Sequence, residues 1–350
     1  MGTLYRDILK RAFLITKKNK FLWFFGLFAA VLSNGSVYDL LIRKYSLLAT
    51  GKITFIGSSL IIYDFLSVFS FSNLKFLFVN SPAAAILLIF VELIIILTII
   101  GFLWLVVMSQ ITLIKAIFEV DKSKENKAGK KGLVDFSQIK GYFFKVLGLN
   151  VLAKLFIFLF LITVAAFLVT ILSKAEILGF ILYLASFVIL IILSLIVSFV
   201  TIFATCFIVL KKADFFESIK EAFSLFFKNW MVSLEMAFIL FIISVIASIL
   251  LSIFLLLVLG PISLVLMVAY SVGSSALFYL FIALAILFLI VSICLFGAFL
   301  TTFQVSSWVL LFDRISVGDA KSKLERIVEG LILSVQKTKA RKKRIRKLKK

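Results

Sequence analysis

Three kinds of segment alternate along this chain. Nearly unbroken apolar runs occupy Ala84–Phe118, Leu178–Leu210 and Ala276–Phe312, at 35, 33 and 37 residues. A second set of apolar runs, at about 21–41, 146–173 and 231–259, precedes them one for one. Ahead of these stand stretches in which basic and apolar residues share helical spacing. In 3–19, Leu4, Ile8, Ala12 and Ile15 oppose Arg6, Lys10, Arg11 and Lys17, and 214–230 repeats the style. Such spacing predicts an amphipathic helix lying on a membrane surface. A spanning helix needs about 20 apolar residues, and inside lipid only helices or closed barrels satisfy their backbone. Barrel strands would alternate over stretches of about 10 residues, which these runs do not. The pattern predicts an all-α fold: a polytopic transmembrane helical bundle of about six spans in three hairpin units, each preceded by a cytoplasmic amphipathic helix.

The units cover about 3–118, 135–210 and 214–312. An amphipathic helix at 319–336 follows, with Ser322 and Glu325 spaced as a capping box. Residues 1–336 thus read as one transmembrane domain and 337–350 as a polybasic cytoplasmic tail. Within 34–82 the apolar stretch 53–71 carries Gly57, Asp64 and several serines, so it reads as an external interfacial cap. The second span exceeds the bilayer core and must tilt, project or kink, with Gly101 the kink candidate. Gly260-Pro261 is expected to end the fifth span and 262–275 to form a short re-entrant or interfacial helix. Ser244, Ser248 and Ser252 predict a close helix contact on that span. Lys10, Ala12, Phe13, Lys18 and Asn19 recur 210 residues later as Lys220, Ala222, Phe223, Lys228 and Asn229, which favours an internal duplication with parallel copies.

Composition changes the picture little. Hydrophobic residues are 63% of the chain and mean hydropathy is +1.21, beyond a soluble domain. Charge adds orientation. Of 38 Lys and Arg residues, only Arg43, Lys44, Lys52, Lys75 and Lys174 fall in segments placed outside when both termini are cytoplasmic. This asymmetry predicts an N-in, C-in topology. The basic stretch before Phe21 is too long for a signal peptide and no small-residue cleavage site follows, so an uncleaved first span is expected. With 41 Phe and 2 Pro, the composition suits an AT-rich bacterial genome and hence the bacterial cytoplasmic membrane.

The segment Lys220-Glu-Ala-Phe223…Lys228-Asn-Trp230 and the run Thr301-Thr302…Trp308…Phe312-Asp-Arg314 resemble a loose group of six-span bacterial membrane proteins. That group includes the membrane domain beside some glycerophosphodiester phosphodiesterases. The resemblance implies architecture and no activity. The phosphodiesterase domain, which uses histidine and carboxylates, has no counterpart in this sequence.

Chemistry has few places to reside. The chain has no histidine, and it lacks a phosphate loop, a paired-carboxylate motif and a metal spacing. Neither an enzyme nor a cofactor is expected. Cys206 and Cys294 fall inside apolar runs as small hydrophobes. A charged residue inside a span invites a functional hypothesis. Glu92, about nine residues into the second span, is the candidate, joined by Gln110 and Gln304 among the polar residues of the even spans. They either line a polar path or make interhelical hydrogen bonds. Glu235 and Lys154, near cytoplasmic ends, read as snorkelling. The tail 337–350 has ten basic residues in fourteen and no acid. Arg341, Lys342, Lys343, Arg344, Arg346 and Lys347 are the candidate contacts to anionic lipid headgroups. A protein partner fits the same surface, whereas sequence-specific nucleic-acid binding lacks the aromatic residues for base stacking. The expectation is a non-enzymatic scaffold or accessory protein, with a small-molecule or lipid transporter as the alternative.

Overall fold

The computed structural model describes residues 4–32, 82–125, 140–172, 176–271 and 275–318. The expected cap at 53–71, the helix at 319–336 and the tail with its six candidate lipid contacts lie outside these residues. Among the described residues the regular structure is entirely helical: α1 (Leu4–Lys18), α2 (Phe21–Leu32), α3 (Pro82–Glu125), α4 (Phe143–Leu172), α5 (Glu176–Lys211), α6 (Phe215–Lys228), α7 (Trp230–Ser271) and α8 (Ser275–Ser316). Segments of α3, α4, α5, α7 and α8 are long and apolar enough to cross a membrane. The protein is therefore a multi-pass membrane protein. The described part of the first expected span, α2, is 12 residues, shorter than a crossing.

The helices run longer than the sequence suggests. α3 continues without a break through Gly101 and on to Glu125. α7 is one helix from Trp230 to Ser271 with Pro261 inside it, contrary to a span ending at Gly260-Pro261. Proline in a helix interior removes a hydrogen bond and crowds the preceding turn. Spanning helices tolerate proline where neighbouring groups compensate for the lost bond; two residues on, Ser263 Oγ donates to the Gly260 carbonyl at 2.6 Å. Residues 262–271 thus extend the fifth span and form no separate re-entrant helix. Of the serine stripe, Ser248 and Ser252 are exposed, whereas Ser244 meets Gln304 of α8.

The chain divides into two units. One comprises residues 1–27, 113–134 and 199–350; the other, 28–112 and 135–198. The core of the first holds Ile15, Leu22, Leu113, Ile117, Phe203, Ile208, Met236, Leu311 and Phe312, each 0–1% exposed. α1 packs on α8, and α8 on α7. An aromatic cluster fastens α6 to this core. Phe226 stacks on Phe199 at 5.3 Å, Phe199 meets Trp308 at 5.5 Å, and Phe207 meets Phe312 edge-on at 4.9 Å. The second unit buries Val106, Val107 and Ile111 of α3 and Val146 and Leu149 of α4. Much of the remaining surface is large and apolar, as at Leu87, Ile99, Leu256 and Leu287. In a spanning helix that surface faces lipid, which is as apolar as the side chains themselves.

α1 also differs from its expected seat. Ile8, Ala12 and Ile15 are 0–3% exposed, so the face expected to enter lipid packs inside the protein. The reason is competition for the same apolar stripe: α8 supplies a complementary face, while Thr16 and Asn19 are satisfied within α1 by the Ala12 and Ile15 carbonyls. Asn19 closes α1 by donating its side-chain amide to the Ile15 carbonyl at 2.9 Å. Asn229 does the same to the Leu225 carbonyl at 3.1 Å at the end of α6. After each break the chain turns directly into an apolar helix.

Candidate functional site

Polar groups inside apolar helices must find partners or remain costly. On α3, α5 and α8 four hydroxyls bond to a carbonyl of their own helix, Thr302 reaching the Leu22 carbonyl of α2 as well. Thr112 donates to the Met108 carbonyl at 2.7 Å, Thr205 to Thr201 at 2.7 Å, Thr302 to Ala298 at 2.7 Å and Ser307 to Phe303 at 2.9 Å. All four hydroxyl-bearing residues are buried. A hydroxyl folded back onto its own helix presents apolar surface to its neighbours.

The two amide candidates bridge helices. Gln110 accepts from Asn150 Nδ2 at 3.2 Å, joining α3 to α4, while Asn150 also donates to the Val146 carbonyl at 2.8 Å. Gln304 donates to Ser244 Oγ at 2.8 Å, joining α8 to α7, and Ser244 in turn donates to the Leu240 carbonyl at 2.7 Å. Each chain of bonds ends on a backbone carbonyl and stays within one unit. The sequence marked Gln110 and Gln304 but not Asn150 as a partner. Its signal was available: one Asn within the apolar run 146–153 at the start of a span.

Glu92 stands apart. Its Oε1 atom is buried and without a hydrogen-bond partner, as are Ser194 Oγ and Ser306 Oγ. Glu92 and Gln110 are 18 residues apart on one continuous helix. That is about five turns and ~27 Å, on the same face. They do not form a single compact site.

At the other end of the first unit, three contacts hold α1. Arg11 pairs with Asp121 at 3.2 Å, the aspartate being 8% exposed. The Tyr5 hydroxyl donates to the Glu235 carboxylate, so Glu235 is not a snorkelling residue but an anchor for the N-terminal helix. Trp23 Nε1 donates to the Thr16 carbonyl at 2.9 Å across the α1–α2 break. Sequence spacing cannot reveal such pairs, since Tyr5 and Glu235 lie 230 residues apart. Among the described residues no group of three or more His, Cys, Asp or Glu side chains is placed to hold a metal ion. Compared with protein-family models, curated proteins and solved structures, the chain matches none of them.

Proposed function

We propose that this multi-pass membrane protein is a non-enzymatic scaffold or accessory protein that engages anionic lipids or a protein partner from the cytoplasmic face. The observation that carries this reading is the use of its polar interior. Gln110 and Gln304 are committed to Asn150 and Ser244, and the buried hydroxyls of Thr112, Thr205, Thr302 and Ser307 to their own helices. Its cations, by contrast, concentrate on the outward side of α1 and in the tail 337–350. The basic asymmetry supports cytoplasmic termini and the bacterial cytoplasmic membrane. The matched breaks at Asn19 and Asn229 support a parallel duplication and kinship with the six-span group that includes the membrane domains beside some glycerophosphodiester phosphodiesterases. Extraction in native lipid discs, with and without 337–350, followed by mass spectrometry tests the reading. Anionic lipids or partners lost with the tail support it; identical bulk lipid and no partner in both samples refute it.

A transporter is the second reading, favoured by the buried, unpartnered oxygen of Glu92. A carboxylate there serves as a proton or cation site. Flux in proteoliposomes that disappears in Glu92→Gln would place transport first, and flux indifferent to that change would remove Glu92 from the mechanism.

A further inference from the structure

The helices α1 and α6 share one register and part of their outward chemistry: Lys10 and Phe13 recur as Lys220 and Phe223, whereas Arg6 and Lys17 stand where α6 has Phe216 and Phe227. Each precedes an apolar helix by a single Asn-centred break, and each turns the residues of one register inward: Ile8 and Ala12 in α1, Ser218 and Ala222 in α6, all buried and 210 residues apart. The same register places positions 6, 10, 13 and 17, and likewise 216, 220, 223 and 227, on one outward face, within an arc of ~60° at ~100° per residue. Lys20 and Trp230 follow at the breaks, both exposed.

On α6 the face is mostly aromatic and carries one exposed cation, Lys220. Phe216 is 80% exposed, and Phe223, Phe227 and Trp230 about half exposed. Glu217, Glu221, Ser224 and Lys228 occupy the neighbouring arc, all exposed. An apolar arc divided between the protein core and an aromatic stripe, with a polar flank beyond, is the pattern of a helix seated at the bilayer interface. α6 also lies between the ends of α5 and α7, two spanning helices.

On α1 the same face reads Arg6, Lys10, Phe13 and Lys17, with Lys20 at the break, and all are exposed. Asp7 is the one acid of α1, and it falls off this face. Arg11, on the opposite flank, pairs with Asp121. The Tyr5–Glu235 bond fixes the start of α1 beside the first turns of α7, on the same side of the membrane as α6. We propose that the outward face of α1 is a binding site for anionic phospholipid headgroups, with Arg6, Lys10, Lys17 and Lys20 meeting phosphates, while Phe13, on the same face, meets Phe299 of α8 edge-on at 6.1 Å. This rests on the lipid-engaging reading above and assigns it a place distinct from the tail. Charge complementarity selects the occupant. The aromatic face of α6 shows where the leaflet surface lies, and the cations of α1 meet that surface in the equivalent position.

The experiment uses the protein without 337–350 in vesicles of phosphatidylcholine and phosphatidylglycerol, with spin-labelled analogues of both lipids reporting which is immobilised. The expected result is a preference for phosphatidylglycerol of roughly fivefold or more that collapses in about 0.5 M salt. Arg6→Gln/Lys10→Gln/Lys17→Gln/Lys20→Gln removes the preference, Lys10→Arg/Lys17→Arg/Lys20→Arg keeps it, and Phe216→Ser/Phe223→Ser leaves it unchanged. Equal melting temperatures among these variants exclude misfolding. No preference in the tail-less protein, or a preference untouched by the four glutamines, overturns the proposal. If the full-length protein alone shows the preference, the tail is the lipid site and the broader reading survives. If lipid is ignored and an acidic protein or RNA binds α1 instead, the face serves a different partner and the proposal falls.

Discussion

Gly26 and Thr302 are pressed together where α2 crosses α8. A Cβ on Gly26 would overlap Thr302 Oγ1 and stand 2.6 Å from the Ala298 carbonyl oxygen. The Thr302 hydroxyl, bonded to that carbonyl, also lies 3.3 Å from the Leu22 carbonyl across the interface. Small residues permit such approach between helices in lipid, where packing replaces the hydrophobic drive. Gly26→Ala should destabilise by about 1–3 kcal/mol through overpacking. Thr302→Ala alone should cost only about 0.6 kcal/mol. Thermal melts in detergent would show the double variant less impaired than the sum of the singles, because removing Oγ1 relieves part of the clash.

The Arg11–Asp121 pair is asymmetric. Asp121 is buried while Arg11 is about one-third exposed. Removing the cation strands a carboxylate, whereas removing both charges does not. Arg11→Met is expected to lower stability by about 1–2 kcal/mol, and Arg11→Met/Asp121→Leu to recover at least half of that loss. Denaturation of the four proteins of this cycle checks the sign. A double variant worse than Arg11→Met would show that the pair is not the relevant contact.

Asn19 and Asn229 each donate a side-chain amide to the carbonyl four residues back. Each should contribute about 0.5–1.5 kcal/mol. Asn19→Ala and Asn229→Ala should therefore lower the melting temperature by similar amounts, and their effects should add. Unequal effects would argue that the two breaks do different structural work.

The Gln304–Ser244 bond joins α8 to α7 at 2.8 Å. If it is a packing contact, Gln304→Leu combined with Ser244→Ala removes donor and acceptor together and should change stability by under about 1 kcal/mol. Lipid retention in discs should be unaffected. A loss of substrate flux in the same variant, with the fold intact, would restore the polar path as a working hypothesis.

Pro261 lies within α7 rather than at its end. Restoring the missing backbone donor with Pro261→Ala should leave stability unchanged or raise it by up to about 3 kcal/mol. Hydrogen exchange across 255–265 would slow. Faster exchange there would mean that proline is needed for the local geometry.

Much of the architecture was legible because each apolar run decides its own fate. Whether Leu178–Leu210 is a helix in lipid depends on the hydropathy and backbone satisfaction of that run alone. The Asn19 and Asn229 breaks were likewise visible as matched residues. The errors came where a local rule met a longer-range or environmental influence. Pro261 reads as a stop in water, yet helix α7 continues through it. The apolar stripe of α1 reads as a membrane face, yet α8 offered it a protein surface.

By itself, then, the sequence determined an all-helical membrane protein with basic amphipathic segments leading into apolar ones. These are properties of composition and period, summed along a segment. Only the tertiary structure decided which polar groups are consumed and which remain outward. Gln110 meets Asn150, Gln304 meets Ser244 and Tyr5 meets Glu235, while Arg6, Lys10 and Lys17 stay exposed. A hydrogen bond or an ion pair depends on two groups arriving within a few ångströms. No hydropathy pattern encodes that distance.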